Sequence, residues 1–445
     1  MRIKQFYDRP LAHFGYAFVS NGEAAVVDPG RDIKPYIDWI EQQGAKLVAV
    51  FETHPHADFA SSHKELHEKY GVTIYVNPKV GVKYPHQPMD DGDEVKIGDV
   101  RIKALFTPGH SPDHNSYLVY EDGKPVAVFT GDSLFIGDVG RPDLREGAGA
   151  IQEQRDRLAR QMFHTIHEIF ANLPDDVKVY PAHGKGSLCG RDMREETVST
   201  IGQEKLTNWA FQIKDEDKFV KTLLANQPFI PIYFPYDVEV NREGAPALAD
   251  SLQKVKFVDD LEEGIPVIDI RNHADYQSGH IPGSINIPDV WNENVETWIG
   301  TFFKPGDKFY LVGYDAESLL KYLHRVAKIY YEPFVAGLKI LTQEDTTETT
   351  EPLDIEQFRK NPESFTIIDV RTPQEIETAG SFFNNAMNIP LDELPKRINE
   401  IPSDKPIVVH CAGGYRSDVA ESIIRSKRPD LKVASLGSYI KEFKN

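Results

Sequence analysis

Along residues 1–200, short apolar runs end in turn or polar residues: AAVVDPG (24–30), KLVAVFETH (46–54), VRIKALFTPGH (100–110), PVAVFTGD (125–132) and VKVYPAHG (177–184). Runs of this length, bounded by Gly, Pro and Asp, predict buried strands. Ile151, Leu158, Met162, Ile166 and Ile169 recur along one face of 151–172 and predict an amphipathic helix. The pattern is that of an α/β protein. His54, His110, Asp132 and His183 all fall at the ends of predicted strands, so a shared sheet would gather them at one edge.

Further along, VIDIRNHADYQSGHIPGSINIP (267–288) is answered by IIDVRTPQEIETAGSFFNNAMNIP (367–390). Asp269 and Arg271 correspond to Asp369 and Arg371, and each segment closes on Asn-Ile-Pro. A repeat of about a hundred residues is too long for a solenoid and suits a duplicated small domain. The polar stretch TQEDTTETTE (342–351) reads as a linker, and NREGAP (241–246) as a boundary. Three domains are expected: 1–245, 246–341 and 352–445. His273, Asp275 and His280 are expected in turns and on the surface of the first copy.

A chain of 445 residues exceeds the size of a single core, in keeping with that division. Fifty basic against 69 acidic residues give a net charge of -19, which repels a phosphate backbone and argues against nucleic acid as a partner. The stretch MRIKQFYDRPLAHFGYAFVS has no apolar signal region, and no window approaches a membrane span, so a cytoplasmic protein without membrane contact is expected. A homo-oligomer is compatible with the sequence. Cys189 and Cys411, far apart, argue for individually reactive thiols and against a disulfide framework.

The stretch THPHADFASSH (53–63) sets His54, His56 and Asp58 at the spacing H-x-H-x-D, with Phe59 where a further histidine would complete a second metal position. TPGH (107–110) and TGD (130–132) each add one ligand type. With these motifs the N-terminal part resembles the metallo-β-lactamase fold, an αββα sandwich carrying metals at one edge. The resemblance implies His54, His56 and His110 around a first metal position faced by Asp132, and Asp58, Phe59 and His183 at a second. Phe59 removes a ligand there and favours one metal. Two histidines and a carboxylate with open positions form the facial triad of non-haem Fe(II) oxygenases. TGDSLFIGDVGRPDL (130–144) also resembles the persulfide dioxygenases, which implies His54, His110 and Asp132 as ligands of one Fe(II) per chain, with His56, Asp58 and His183 in the outer shell. Arg141 is a candidate for binding a substrate anion, with a structural pair to Asp143 as the alternative. His114 reads as a hydrogen-bonded structural residue. Cys189 lies six residues after His183 and is a candidate for accepting or relaying sulfur, with a functionless loop cysteine as the alternative.

In the second copy the strand PIVVH (406–410) runs into Cys411-Ala-Gly-Gly-Tyr-Arg416, with a helix expected from Ser417. Gly413 and Gly414 let the loop curl its N–H groups inward and Arg416 adds a positive charge; both favour a thiolate at Cys411. This part resembles the rhodanese sulfurtransferases. Four residues separate Cys411 from Arg416, against five in the related phosphatase loop, and the shorter cradle suits a sulfane sulfur carried as a persulfide. The first copy follows the same plan but ends its strand at Gly313 without cysteine or arginine, which implies an inactive rhodanese-like domain.

The whole resembles the multidomain persulfide dioxygenase-sulfurtransferases of bacteria. The resemblance implies oxidation of a low-molecular-weight thiol persulfide by O2 to sulfite and thiol, coupled through Cys411 to formation or use of thiosulfate. Two rival readings are a glyoxalase-II-like thioester hydrolase with two zinc ions, and a sulfur carrier or regulatory protein acting only through Cys411.

Overall fold

The computed structural model describes residues 1–142 and 151–444. Two compact units divide the chain: Met1–Ser251 with Ala327–Tyr330, and Leu252–Val326 with Tyr331–Asn445.

Two six-stranded sheets form the middle of the first unit. One runs in chain order through Arg2–Asp8, His13–Ser20, Glu23–Val27, Lys46–Phe51, Thr73–Val76 and Gln87–Pro88. The other has the spatial order Ser199–Thr200, Lys178–Pro181, Lys124–Gly131, Asn115–Glu121, Val100–Phe106 and Glu94–Ile97. The period of two sorts the side chains between layers. Along His13–Ser20, Phe14, Tyr16 and Phe18 share a core with Tyr117, Val119 and Phe129 of the other sheet. Ala17 and Val19 turn the opposite way, toward Tyr36 and Ile40 of the helix Lys34–Gln42. On the far side, Leu118 and Val128 join Ala159, Met162 and Ile166. The result is a four-layer αββα sandwich.

The helix expected over 151–172 is α-helical at Ile151–His164, widens to a π turn at Thr165–Ile169 and tightens at Phe170–Asn172. A π turn takes up an extra residue and moves the face by one position. Phe170, not the half-buried Ile169, therefore completes the buried stripe of Leu158, Met162 and Ile166, while the side chain of Ile151 lies outside the described ones.

The second unit holds two parallel four-stranded sheets of the same order, which accounts for the sequence repeat as a duplicated small α/β domain. One consists of Ile285–Asn286, Val267–Asp269, Phe309–Gly313 and Val335–Ile340; the other of Met387–Asn388, Thr366–Asp369, Ile407–His410 and Val433–Ser435. The repeated residues form one device. Arg271 forks onto Asp269 and Arg371 onto Asp369, each through its Nε and Nη2. Asn286 Nδ2 donates to the carbonyls of Asp269 and Arg271 at 3.0 and 2.8 Å, and Asn388 Nδ2 to those of Asp369 and Arg371 at 2.9 and 2.8 Å. The asparagine of each Asn-Ile-Pro thus ties a two-residue edge strand to the Asp-x-Arg turn.

Two expectations change here. The polar stretch 342–351 folds back on the first copy, where Glu348 and His280 exchange main-chain hydrogen bonds at 2.8 and 3.1 Å. His280 and His273 are not surface residues: His280 is buried and its Nδ1 lies 2.8 Å from the Tyr276 carbonyl, while His273 Nε2 lies 2.9 Å from Glu421 Oε2 of the second copy. Each copy buries polar groups that an isolated domain would expose.

Burial alone would lower the pKa of His273. The hydrogen bond to Glu421 and the charges of Asp418 and Glu421 outweigh it and push the imidazole up to about 9. Because the folded value lies above the ordinary 6.5, the stabilisation is complete below about pH 6.5 and is lost as pH rises through about 9. Calorimetry of the full-length protein should show the thermal transition of this unit falling over that window, by at most on the order of 3 kcal/mol. His273→Gln should flatten the slope, and an unchanged slope would count against the pairing.

Candidate functional site

The loop after strand Lys46–Phe51 carries the first histidines, and it is tied down at several points. Asp28, at the end of Glu23–Val27, accepts from the Thr53 N–H and hydroxyl, both at 2.8 Å. The Thr53 carbonyl accepts from the Asn115 N–H at 2.8 Å. Opposite it stand two turns that depend on glycine: Gly109 (φ +145) and Gly131 (φ +53), where a Cβ would lie 2.7 Å from Met162 and 2.4 Å from His114. They bring His110 and Asp132 to the same edge.

His54 Nε2 lies 3.8 Å and His110 Nε2 3.6 Å from Asp132 Oδ2. The ligand atoms of these three buried residues fall within 4.8 Å of one another. His110 Nδ1 donates to the Arg141 carbonyl at 2.8 Å, which leaves its Nε2 lone pair facing Asp132. Asp132 Oδ1 accepts from His183 Nδ1 at 2.7 Å, whereas Oδ2 is buried without a hydrogen-bond partner among the described residues. Burial would raise this carboxyl, but His183, His110 and His56 hold it far below the usual carboxylate range. Two imidazole nitrogens and an unspent carboxylate oxygen around one point fit a first-row divalent cation with open positions.

His56, Asp58 and His183 form a second buried cluster of ligand atoms, also within 4.8 Å. Its groups already meet one another or the protein: His183 Nε2 lies 2.8 Å from Asp58 Oδ2, and His56 Nε2 3.4 Å from Asp28 Oδ1. Burial works against a charged His183, yet Asp132 and Asp58 together raise its pKa well above the ordinary value. Phe59 is buried beside this cluster, its ring centroid 4.5 Å from that of His56.

In the second unit, strand Ile407–His410 delivers Cys411 to a loop that closes against the helix Tyr415–Lys427. The helix starts two residues before the expected Ser417. The Gly414 N–H donates to Cys411 Sγ at 3.0 Å. Gly414 has φ +120, and a Cβ there would stand 2.9 Å from the Gly437 carbonyl carbon, whereas one at Gly413 would meet nothing. Arg416 is bidentate on Glu375, at 2.7 and 2.5 Å.

Comparison with known proteins agrees with this layout. The metallo-beta-lactamase superfamily model matches residues 8–183, and the rhodanese-like domain model matches 251–335 and 354–439. A solved metallo-beta-lactamase from Staphylococcus aureus is 31% identical, with a TM-score of 0.68, over 77% of this chain and 99% of its own. The chain belongs to the metallo-beta-lactamase superfamily. Among curated relatives, a hydroxyacylglutathione hydrolase of Gloeobacter violaceus is 36% identical over 38% of this chain, which spans 63% of that protein. The human mitochondrial persulfide dioxygenase ETHE1 is 27% identical over 50% of this chain and 80% of its own length.

Cys189 is buried with Asp132 and His183 within 4.8 Å, and burial, then the Asp58 and Asp132 charges, push its thiol up. Arg141 is buried, and its Nη1 donates to the Leu188 and Pro228 carbonyls at 3.3 and 2.6 Å; its alternative partner Asp143 lies outside the described residues. His114 accepts the Asp132 N–H at 3.1 Å and lies 2.9 Å from the Thr107 hydroxyl, a structural placement.

Two residues of the first unit escape sequence reasoning. His13 is buried with its ring centroid 3.9 Å from that of Phe59 and 5.5 Å from that of His183, yet in the sequence it is one histidine in an aromatic strand. Asn241, on the helix Phe234–Glu243, donates to the His56 and Phe59 carbonyls, both at 2.8 Å, and accepts from the Ser61 N–H at 2.7 Å. One amide clamps the histidine loop. Asn241→Leu keeps the branching and heavy-atom count but removes the amide and leaves these buried groups unpaired, so urea titration should show a loss of about 2–4 kcal/mol, and dialysis should strip bound metal faster. An unchanged midpoint would mean that the clamp is dispensable.

Proposed function

We propose that this protein is a mononuclear Fe(II) persulfide dioxygenase joined to a rhodanese-type sulfurtransferase, with 1–245, 246–341 and 352–445 as its domains. The observation that carries the reading is Phe59: a buried phenyl ring borders the second cluster where a dinuclear centre would need a ligand. His54, His110 and Asp132 would hold one iron, which when bound supplies the redox chemistry that joins O2 to sulfur. The reaction balances as RSSH + O2 + H2O giving RSH, sulfite and two protons.

The residues around the triad have distinct tasks. The Arg141 carbonyl fixes the tautomer of His110, and His183 neutralises the Asp132 oxygen turned away from the ligands. Asp58 shares the proton of His183 and keeps it beside the site. Phe59 and His13 exclude water from the second position. Cys189, next to Asp132 and His183, is the candidate for taking the outer sulfur of RSSH as RSH leaves, a step that needs the thiolate its burial disfavours. In the last domain Cys411 takes the outer sulfur of RSSH as a persulfide and gives it to sulfite, so RSSH and sulfite become RSH and thiosulfate. The thiol is a small one, and the protein acts in the cytoplasm; no helix among the described residues is long and apolar enough to cross a membrane.

The hydroxyacylglutathione hydrolase relatives favour a second reading, a dinuclear zinc thioester hydrolase. Metal analysis after anaerobic preparation, paired with O2 uptake on a small-thiol persulfide, separates the two. The dioxygenase reading expects about one iron per chain and persulfide-dependent uptake; two zincs and no uptake would replace it with the hydrolase. Cys411→Ser should leave O2 uptake intact while sulfite accumulates in place of thiosulfate, and a loss of uptake would contradict this division of labour. Cys189→Ser with ordinary iron loading and turnover would remove Cys189 from the chemistry.

A further inference from the structure

The first rhodanese-like copy lacks a nucleophile, yet it lines the helix that begins at the Cys411 loop. The Tyr415 hydroxyl donates to the Pro288 carbonyl at 3.3 Å, the Asn286 N–H to Ser422 Oγ at 2.9 Å, and Ser426 Oγ to the Gly283 carbonyl at 2.8 Å. His273 stands on the same face. Its Nε2 is 2.9 Å from Glu421 Oε2 and 3.9 Å from Asp418 Oδ1, and its Nδ1 is 3.1 Å from Asn286 Oδ1. Because Asn286 Nδ2 is committed to two carbonyls, its oxygen faces the ring, and both ring nitrogens meet acceptors. Such a ring carries both protons.

Beyond His273 the bonds continue to the sulfur. Glu421 Oε2 accepts from the Ser435 N–H at 2.8 Å, and Asp418 Oδ1 lies 2.6 Å from Ser435 Oγ. Ser435 Oγ is 2.9 Å from Ser417 Oγ, which lies 3.8 Å from Cys411 Sγ and 2.6 Å from the Gly414 carbonyl.

Each hydroxyl has one proton, so the charge of Asp418 sets where that of Ser435 points, and with it whether Ser417 has a second acceptor besides the Gly414 carbonyl. When Asp418 is ionised, Ser435 donates to it, and Ser417 is free to turn back toward Ser435. When Asp418 is protonated, it donates to Ser435, Ser435 donates to Ser417, and the Ser417 proton must point forward, to the Gly414 carbonyl or to Sγ. We propose that His273 of the first copy is a positioning residue for Cys411, setting through Asp418, Ser435 and Ser417 the orientation of the hydroxyl beside the sulfur. This role rests on the reading of Cys411 as the nucleophile.

The charged groups facing Asp418 are His273 and Glu421; those facing His273 are Glu421 and Asp418. Arg416, held by Glu375, is the charge facing Cys411. Burial pushes the Asp418 carboxyl up, against the pull of His273 and the Ser435 bond, to about 6.

The test is alkylation of Cys411 by iodoacetamide in the full-length protein, followed by mass spectrometry of its peptide between about pH 5 and 9. The relay predicts that the log rate carries an inflection from Asp418, at about pH 6. Asp418→Asn and Ser435→Ala should each erase it. His273→Gln, which removes the cation that favours ionised Asp418, should move it up by about half a unit or more. Should His273→Gln fail to fold, Ser435→Ala, which deletes a single hydroxyl, carries the test. A wild-type profile without that inflection, or the same profile in every variant, would overturn the relay. Exposure of the wild type to a persulfide donor separates this from the underlying reading: no persulfide on the Cys411 peptide would sink the nucleophile itself, whereas persulfidation with unaltered profiles would sink only the relay.

Discussion

A carboxylate taken out of water costs several kcal/mol unless its charge is met. Asp132 is wholly buried, and the edge of the first unit is arranged around meeting that charge. His183 takes one oxygen, and the imidazoles of His54 and His110 stand around the other. The demand propagates outward. His110 is fixed by a carbonyl, the His54 loop hangs from Asp28 through Thr53, and Asn241 holds its far side. Two glycine turns admit no side chain because the residues they carry must come this close.

Phe59 packs beside a cluster whose members face one another or the protein. Asp58 and His183 turn to each other, and His56 turns toward Asp28. The rings of Phe59 and His13 back this cluster. In the second unit, the loss of cysteine in one copy has not emptied that copy of consequence, since its His273 meets the acids of the helix that follows Cys411.

How much of this was legible in the sequence follows from how each residue acts. His54, His110, Asp132 and Cys411 sit at the ends of strand-like runs, His110 and Asp132 directly after glycines, where local pattern and chemistry coincide; the α/β class could be read from those runs, the duplication from the repeated Asp-x-Arg, and the αββα layering from the family resemblance. The stripe of 151–172 was readable until the π turn shifted Ile169 out and Phe170 in. Asn241 and His13 were not readable, because each is an ordinary residue of a regular element whose partners lie far away in the chain. His273 and His280 misled for the opposite reason: polar residues near a turn look exposed until another segment covers them.

The asparagine latch of the two copies has a kinetic side. It closes over separations of only 17 and 19 residues, so loop closure costs little and each latch can form early. Two such latches in one chain are interchangeable in chemistry, and an emerging chain could in principle close Asn388 on the turn of Asp269. Tandem copies of one design are prone to that exchange. The different segments between turn and asparagine, QSGHIPGSI in one copy and ETAGSFFNNAM in the other, give each latch its own span and packing, and so help each edge strand to find its own sheet.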